Sequence, residues 1–171
     1  VEIILPKYDC LNTERIWELN KVQDLWVPYF GEWLHCDLEM GRADGLTCWF
    51  IDPHSPREFF RRGRIYGEPD DPERFALFAR AALEFLYKSG RHPDIIHCHD
   101  WHCGLVPVLL EEVYRPQGMT RPRVCYTLHN LGYQGRTEEQ VLRQAGLDPA
   151  ALMTPERLQD PGDPQTVNLM Q

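Results

Sequence analysis

Two stretches of the chain decide its fold: PDIIHCHDWH at residues 93–102 and RVCYTLHNLGYQG at residues 123–135. Each begins with β-forming residues, which predicts one strand over Asp94–His99 and another over Arg123–His129. The apolar residues 103–115 between them predict a helix. A strand, a helix and a second strand joined by short links are typical of a parallel βαβ unit.

A helix is predicted on each side of this unit. Asp71 can cap the upstream helix, which has a wide apolar face and ends at Gly90. Downstream, TEEQ at residues 137–140 has the spacing of a capping box and predicts a helix that stops at Gly146. Together with a buried strand at residues 1–5, this alternation predicts an α/β fold with a Rossmann-like, doubly wound parallel sheet.

The rest of the chain is less regular. Residues 33–40 alternate between apolar and polar side chains, and a second strand-like run at residues 46–51 completes a predicted hairpin. Residues 52–71, rich in Pro, Gly and Arg, predict a long loop, which is either functional or a solvated run of charge. Residues 7–32 predict no clear element, and residues 149–171 are expected to be mostly loop.

The composition excludes several classes of protein. A chain of 171 residues is enough for one domain with a sizeable core, and its net charge of −8 argues against nucleic acid or an anionic membrane as the main partner. No apolar run approaches the ~18 residues of a membrane-spanning helix. The six cysteines lack the dense spacing of a secreted disulfide scaffold, which favours reduced thiols in a cytosol-like compartment. Because Val1 already lies in a strand-like run, we expect an internal piece of a larger protein.

The two strand ends carry the candidate site, because ligands of such sheets bind at the carboxyl ends of the strands. Carboxylates and amides can bind sugar hydroxyls, and aromatic rings can pack on the apolar face of a sugar. Both strand ends supply these types: Asp100, Trp101, His102, His129, Asn130 and Tyr133. Gly132 and Gly135 let the backbone turn tightly behind them. This composition suggests a sugar site.

A metal site is the alternative for the first strand end. His97–Cys103 holds three His, two Cys and one Asp, and His and Cys are the usual zinc ligands. The pattern approaches the His-x-His-x-Asp-His signature of metallo-β-lactamase-like hydrolases, but Trp101 stands where Asp is required and Asp100 comes one position early. A metal-dependent hydrolase therefore stays open as a rival, although we expect no tightly bound zinc.

Further motifs give the two stretches a family resemblance. They are ILPKY at residues 4–8, Tyr66-Gly67, ERFALFAR at residues 73–80 and VNLM at residues 167–170. The combination resembles the N-terminal domain of bacterial glycogen synthases and plant starch synthases. LPKYDCLN at residues 5–12 is most similar to cyanobacterial enzymes related to the plant class III and IV synthases. The resemblance runs nearly end to end.

The resemblance implies an activity and an architecture. Its members have two Rossmann-like domains facing each other across a cleft (the GT-B arrangement), and this chain matches the N-terminal, acceptor-side domain. They transfer glucose from ADP-glucose to the non-reducing end of an α-1,4-glucan such as glycogen or starch, with retention and without a metal or other cofactor. The implied location is the cytoplasm in bacteria or the plastid in plants and algae.

The resemblance also assigns residues. It implies that His129 and Asp100 are catalytic, with His129 contacting the donor glucose. The implied substrate-binding residues are Tyr66, Trp101, His102, Asn130, Tyr133 and Gln134. The Lys-x-Gly-Gly loop and the nucleotide-binding C-terminal domain of the family are not in this sequence, so we expect the isolated chain to be inactive. A glucan-binding module without chemistry is therefore a second alternative.

Overall fold

The computed structural model describes all 171 residues. The strands and helices in chain order are β1 (Glu2–Pro6), β2 (Trp17–Tyr29), β3 (Glu32–Ala43), β4 (Leu46–Pro53), α1 (Asp71–Lys88), β5 (Ile95–His99), α2 (Leu105–Leu109), β6 (Arg123–Thr127), β7 (Arg136–Thr137), α3 (Gln140–Gln144), α4 (Pro149–Leu152), β8 (Gln159–Asp160) and β9 (Asp163–Asn168). None of the helices combines the length and the apolarity needed to cross a lipid bilayer.

The first sheet has four strands in the order β1-β4-β3-β2. β1 pairs with β4 in parallel, whereas β3 pairs with both β4 and β2 in antiparallel fashion. The predicted hairpin is confirmed as β3 and β4. Its turn is reduced to Asp44 and Gly45, which both have positive φ, as a tight two-residue hairpin turn requires.

The long strand β2 was missed by the sequence prediction. It is an edge strand, so most of its side chains meet water and the apolar alternation is confined to Leu25, Val27 and Tyr29 at its end. Two register shifts between Trp17 and Gln23 interrupt the pattern further. A bulged, polar edge strand carries little of the periodicity on which a strand prediction depends.

The second sheet confirms the predicted βαβ unit. β5 and β6 pair in parallel, with His99 opposite Thr127. The predicted helix between them is present as a 3-10 turn at Trp101–Cys103, then α2, then a π-helical turn at Leu110–Tyr114.

The first and second sheets are not hydrogen-bonded to each other. β1 has a neighbour only on its β4 side, and β5 only on its β6 side. An ion pair of 3.2 Å between Arg91, which precedes β5, and Glu2 in β1 brings the beginnings of the two strands close together. One continuous apolar core, to which α1 contributes most of its length, joins both sheets.

The upstream helix α1 is confirmed, but Asp71 is its first helical residue instead of its cap. The Asp71 carboxylate accepts hydrogen bonds from the Gly67 backbone N–H at 2.6 Å and from the Arg74 side chain at 2.8 Å. Arg74 is completely buried and also donates to the backbone carbonyls of Phe59 and Ile65. The buried guanidinium therefore ties the loop of residues 54–70 to the helix.

The arginines of that loop all form ion pairs. Arg57, Arg61, Arg62 and Arg64 each pair with a carboxylate of the same region. Their charges are therefore neutralised within the chain.

The predicted capping box at residues 137–140 is wrong. Thr137 lies in β7 and pairs with Val167 of β9, and α3 begins at Gln140 without a side-chain cap. Pairing with a distant strand thus overrides the local motif. The expectation of loop beyond residue 149 is also wrong in part, because β8 and β9 join β7 in a three-stranded sheet. The predicted helix end at Gly146, with φ of +78°, is confirmed.

Candidate substrate site at the carboxyl ends of β5 and β6

Asp100 is the first residue after β5 and has an unusual backbone. Its φ and ψ are +55° and −179°, a region that is costly for any residue with a Cβ. Three backbone hydrogen bonds hold it there. Its N–H donates to the Thr127 carbonyl at 3.0 Å, and its own carbonyl accepts from the Tyr126 hydroxyl at 2.5 Å and from the Cys103 N–H at 3.0 Å. Such imposed strain is found most often at functional sites.

The Asp100 side chain reaches across to the next strand end. Oδ1 accepts the backbone N–H of His129 at 2.6 Å and that of Asn130 at 3.3 Å. Burial alone would raise the pKa of Asp100, but these two backbone hydrogen bonds outweigh it and lower the pKa below its usual value. The predicted juxtaposition of Asp100 and His129 at one sheet edge is therefore confirmed. The geometry gives Asp100 the function of positioning the His129 backbone.

His129 is exposed and belongs to a row of three imidazoles. Its Nε2 lies 3.0 Å from Nδ1 of His99, and these two rings are stacked with centroids 5.2 Å apart. His97 continues the row, 4.3 Å from His99, and its Nε2 lies 2.7 Å from the Thr127 hydroxyl. Burial lowers the pKa of His99, and the neighbouring His97 and His129 lower it further. One nitrogen of the His99–His129 contact must donate and the other accept, so the two tautomers are linked.

His99 was not among the predicted site residues. Its alternation with His97 on one face of β5 was visible in the sequence, but the register that sets it beside His129 comes from the β5–β6 pairing. Through its contact with His129, the His99 imidazole can fix which nitrogen of the His129 ring carries the proton.

A cluster of aromatic rings forms the other side of the site. Trp101 and His102 stack on each other at 4.4 Å, and the edge-on ring of Phe75 in α1 lies 5.4 Å and 4.6 Å from them. Tyr66, which is 64% exposed, extends the cluster with its ring 5.8 Å from that of His102. Burial lowers the pKa of His102, which favours its neutral form. Phe75 was missed because it lies on the buried face of α1 and looks like an ordinary core residue.

The segment after Asn130 closes over Trp101. A Cβ on Gly135 would lie 2.5 Å from the Trp101 ring, so only glycine fits there. Gln134 accepts a hydrogen bond of 2.7 Å from the Asn168 amide, and Tyr133 is 73% exposed. Tyr133, Gln134 and Gly135 line a cavity of about 520 Å³ together with Trp101.

A larger cleft of about 750 Å³ adjoins this cavity through Pro72 and Arg136. Its walls come mainly from polar residues of the third sheet and α3, and none of the predicted site residues lines it. Asp100 and His129 line neither space. We therefore place the candidate site at the smaller cavity and the adjoining strand ends.

The side chains of the proposed metal segment do not converge. His97 and His99 face one way, Cys98 is buried on the opposite face, and His102 lies among aromatic rings. Asp100 is occupied by backbone amides. The metal-hydrolase rival is therefore not supported by the geometry of this segment.

The fold and the site together define a Rossmann-like α/β domain of the GT-B class of glycosyltransferases. A solved relative, the catalytic domain of starch synthase IV from Arabidopsis thaliana bound to ADP and acarbose, superposes with a TM-score of 0.97 at 43% identity. The match covers 99% of this chain and 34% of that structure. The predicted fold class is confirmed.

The chain belongs to the family of starch synthase catalytic domains, whose model matches residues 1–171. Glycogen synthase 1 of Nitrosococcus oceani is 61% identical over 99% of this chain, and glycogen synthase 1 of Trichormus variabilis is 49% identical over the same share. A probable chloroplastic or amyloplastic starch synthase 4 of Arabidopsis thaliana is 44% identical over 98% of it. The chain spans 35% of the length of each of these two glycogen synthases and 16% of the plant relative. The predicted family resemblance is confirmed.

Proposed function

We propose that the protein containing this chain is a glucosyltransferase that extends an α-1,4-glucan with glucose from ADP-glucose, retaining the anomeric configuration. The names of the relatives, glycogen synthases and a starch synthase, support this activity. The observation that carries it is the pair of strand ends, where Asp100 fixes the backbone of His129 beside the Trp101 cavity.

In this proposal His129 acts on the donor glucose. A reaction with an oxocarbenium-like transition state is helped by dipoles that are fixed before the reaction, since they need no reorganisation as charge develops. The Asp100 carboxylate fixes the peptide that precedes His129 through the 2.6 Å bond to its N–H. His99, 3.0 Å away, orients the imidazole. His129 is thus the catalytic residue, and Asp100 acts through it.

The aromatic cluster serves the glucan in this proposal. Trp101 is held from two sides, by the Phe75 edge and by Gly135, and it lines the cavity. A ring fixed in this way can stack on the apolar face of a sugar without further ordering. We propose that Tyr66, Tyr133, His102, Asn130 and Gln134 make further substrate contacts.

A helical segment begins at Trp101, but the diphosphate of the donor also requires cationic side chains, and Arg74 and Arg136 are already paired. Arg74 is buried and committed to the loop, and Arg136 pairs with Asp160 at 2.7 Å. We therefore propose that the chain is the acceptor-side domain and that a second domain binds the nucleotide, with no metal or other cofactor in the transfer. The bacterial relatives favour the cytoplasm and the plant relative a plastid.

Incorporation of radiolabelled glucose from ADP-glucose into glycogen tests the proposal. The protein at its full natural length should be active, His129→Ala should lower turnover at least 100-fold with normal folding, and the 171-residue chain alone should be inactive. UDP-glucose in parallel tests the choice of donor. Full activity of His129→Ala would contradict the catalytic assignment. Glucan binding without any turnover by the full-length protein would favour a binding module instead.

A further inference from the structure

A second cluster of ligand-type side chains lies on the outward face of the first sheet. His35 and Asp37 alternate along β3, while Cys36 and Leu38 between and beyond them face the core and are fully buried. Asp24 on β2 lies directly opposite Asp37 in the register. None of these residues takes part in the site described above, which lies on the second sheet.

His54 joins the cluster from the end of β4. Its backbone N–H donates to the His35 carbonyl at 2.9 Å, which continues the pairing of β3 and β4 by one residue. The two imidazole rings consequently face each other with centroids 4.5 Å apart. Three adjacent strands thus direct polar side chains at one point.

The distances within the cluster suit a metal ion. The Asp37 carboxylate lies between the two imidazoles, with one oxygen 3.2 Å from Nε2 of His54 and the other 3.7 Å from Nε2 of His35. The ligand atoms of these three residues all lie within 4.8 Å of one another. Ligands of tetrahedral zinc, bound at about 2.0–2.2 Å, are about 3.3 Å apart. Asp24 Oδ1 lies outside this group of three but is 2.7 Å from Nε2 of His35.

The cluster already attracts a cation. The Lys21 ammonium lies 2.8 Å from Asp24 Oδ1 and 2.8 Å from Asp37 Oδ1. The Lys21 ammonium is thus the close partner of the buried Asp37 Oδ1.

The Lys21 side chain can move away from the cluster. Its side chain is 46% exposed, and it lies on an edge strand next to a register shift, where little packing holds it. A divalent ion that displaced the ammonium would gain two imidazole ligands that a lysine cannot use. Imidazole with carboxylate favours zinc, copper, nickel or cobalt over magnesium or calcium, which prefer oxygen ligands alone.

We propose that His35, His54 and Asp37, assisted by Asp24, form a binding site for a divalent transition-metal ion of the zinc type, with Lys21 as the competing occupant of the empty site. The ion would cross-link β2, β3 and β4. The ion is not a cofactor of the proposed glucosyl transfer, so each of the two proposals can be tested without the other.

Titration of the full-length, metal-free protein with Zn²⁺ by calorimetry, and with Co²⁺ by visible absorption, tests this proposal. The unmodified protein should bind one ion at this site, with Mg²⁺ failing to compete. His54→Gln should weaken binding at least tenfold, and Lys21→Met should tighten it by about threefold or more. His92→Gln, at an exposed histidine outside the cluster, is the matched control and should change nothing.

The Lys21 and His54 variants alter exposed side chains, so both should fold and both outcomes are decisive. Equal affinity of the unmodified protein and His54→Gln would overturn the proposal, as would a Lys21→Met variant that binds no more tightly. Binding that is lost in His99→Gln but kept in His54→Gln would place the ion at the other row of histidines and would equally overturn it.

Discussion

At the scale of single residues, Asp100 combines backbone strain with a positioning contact. The strain of its φ and ψ costs about 1–3 kcal/mol, and each of its charge-assisted hydrogen bonds to His129 and Asn130 contributes about 1.5–3 kcal/mol. The strain is similar in size to one of these two bonds and therefore offsets about half of their contribution. The residue thus gives a modest net stabilisation and fixes where the His129 peptide lies.

Asp100→Gly separates the two effects. Glycine adopts this conformation freely, so the relieved strain should offset part of the lost hydrogen bonding and keep the free energy of unfolding within about 1–2 kcal/mol of the original. Turnover in the full-length protein should nevertheless fall at least 100-fold, because the His129 peptide is no longer held. Urea denaturation and the glucose-incorporation assay measure the two quantities. A stable and fully active Asp100→Gly protein would remove Asp100 from the site.

Gly135 is the second residue whose replacement isolates one interaction. Gly135→Ala should cost about 1–2 kcal/mol of stability because its φ is +65°, and the new Cβ should also displace the Trp101 ring. Gly31→Ala is the matched control, since Gly31 has φ of +76° with nothing near its Cβ position.

Both alanine variants should lose stability in thermal unfolding, and Gly135→Ala should lose more because only its Cβ meets the Trp101 ring. Only Gly135→Ala should raise the KM for glucan, and we expect a rise of at least fivefold. A glucan KM that rises equally in both variants would mean that Trp101 does not contact the glucan.

Much of this residue-scale detail was accessible from the sequence. Because the carboxyl ends of neighbouring parallel strands share an edge, the order of strands and helices along the chain is enough to place Asp100 and His129 together. The strained Asp100 backbone and the role of His99 were not accessible, since both depend on the register of β5 against β6. Phe75 could not be predicted as a site residue for a different reason. It follows the apolar pattern of α1, so in the sequence it cannot be told from any other core residue.

At the scale of elements, buried Arg74 determines how the loop of residues 54–70 meets α1. Arg74→Met should destabilise the protein by about 3–5 kcal/mol, because it leaves the buried Asp71 carboxylate without its counter-charge and two carbonyls without their donor. Arg64→Met, which breaks an exposed pair with Glu68, is the control and should change stability by no more than about 0.5 kcal/mol.

Chemical denaturation measures both arginine variants. A hydrogen-exchange readout on the segment around Tyr66 should show faster exchange in Arg74→Met only. A loss of stability without faster exchange in that segment would mean that Arg74 supports the core but does not order the loop.

The elements differ in how well the sequence predicted them. α1, β5 and β6 have strong periodicity because their burial is nearly one-sided or complete, and all three were predicted. β2 was missed because it is a bulged edge strand with few buried residues. β9 was missed because it also carries few buried residues and exists in part through pairing with the distant strand β7. TEEQ at residues 137–140 failed for the same reason, since strand pairing of Thr137 overrides its local preference.

At the scale of the whole molecule, two histidines make stability depend on pH. Burial lowers the pKa of His102, and burial together with neighbouring imidazoles lowers that of His99. The unfolded chain, in which histidine has a pKa near 6.5, then binds protons more readily than the folded chain. The free energy of unfolding should therefore be highest above about pH 6.5 and should fall as the pH drops below that value.

Denaturant midpoints measured from pH 7.5 to pH 5.5 test this dependence. His102→Gln should flatten the fall, because the remaining group is then His99. His92→Gln, at an exposed histidine, is the control and should leave the slope unchanged. A slope identical in all three proteins would mean that neither imidazole resists protonation in the folded state.

The unpaired sides of β1 and β5 have a consequence for isotope exchange. In a parallel strand with a neighbour on one side only, every second backbone amide points at that neighbour and the amides between them point away. In D₂O the chain should therefore exchange its β1 and β5 amides in an alternating fast and slow rhythm, whereas β4, paired on both sides, should be protected at consecutive positions. Mass spectrometry or NMR can measure this alternation in exchange rate amide by amide. A third strand lying between β1 and β5 would abolish the alternation.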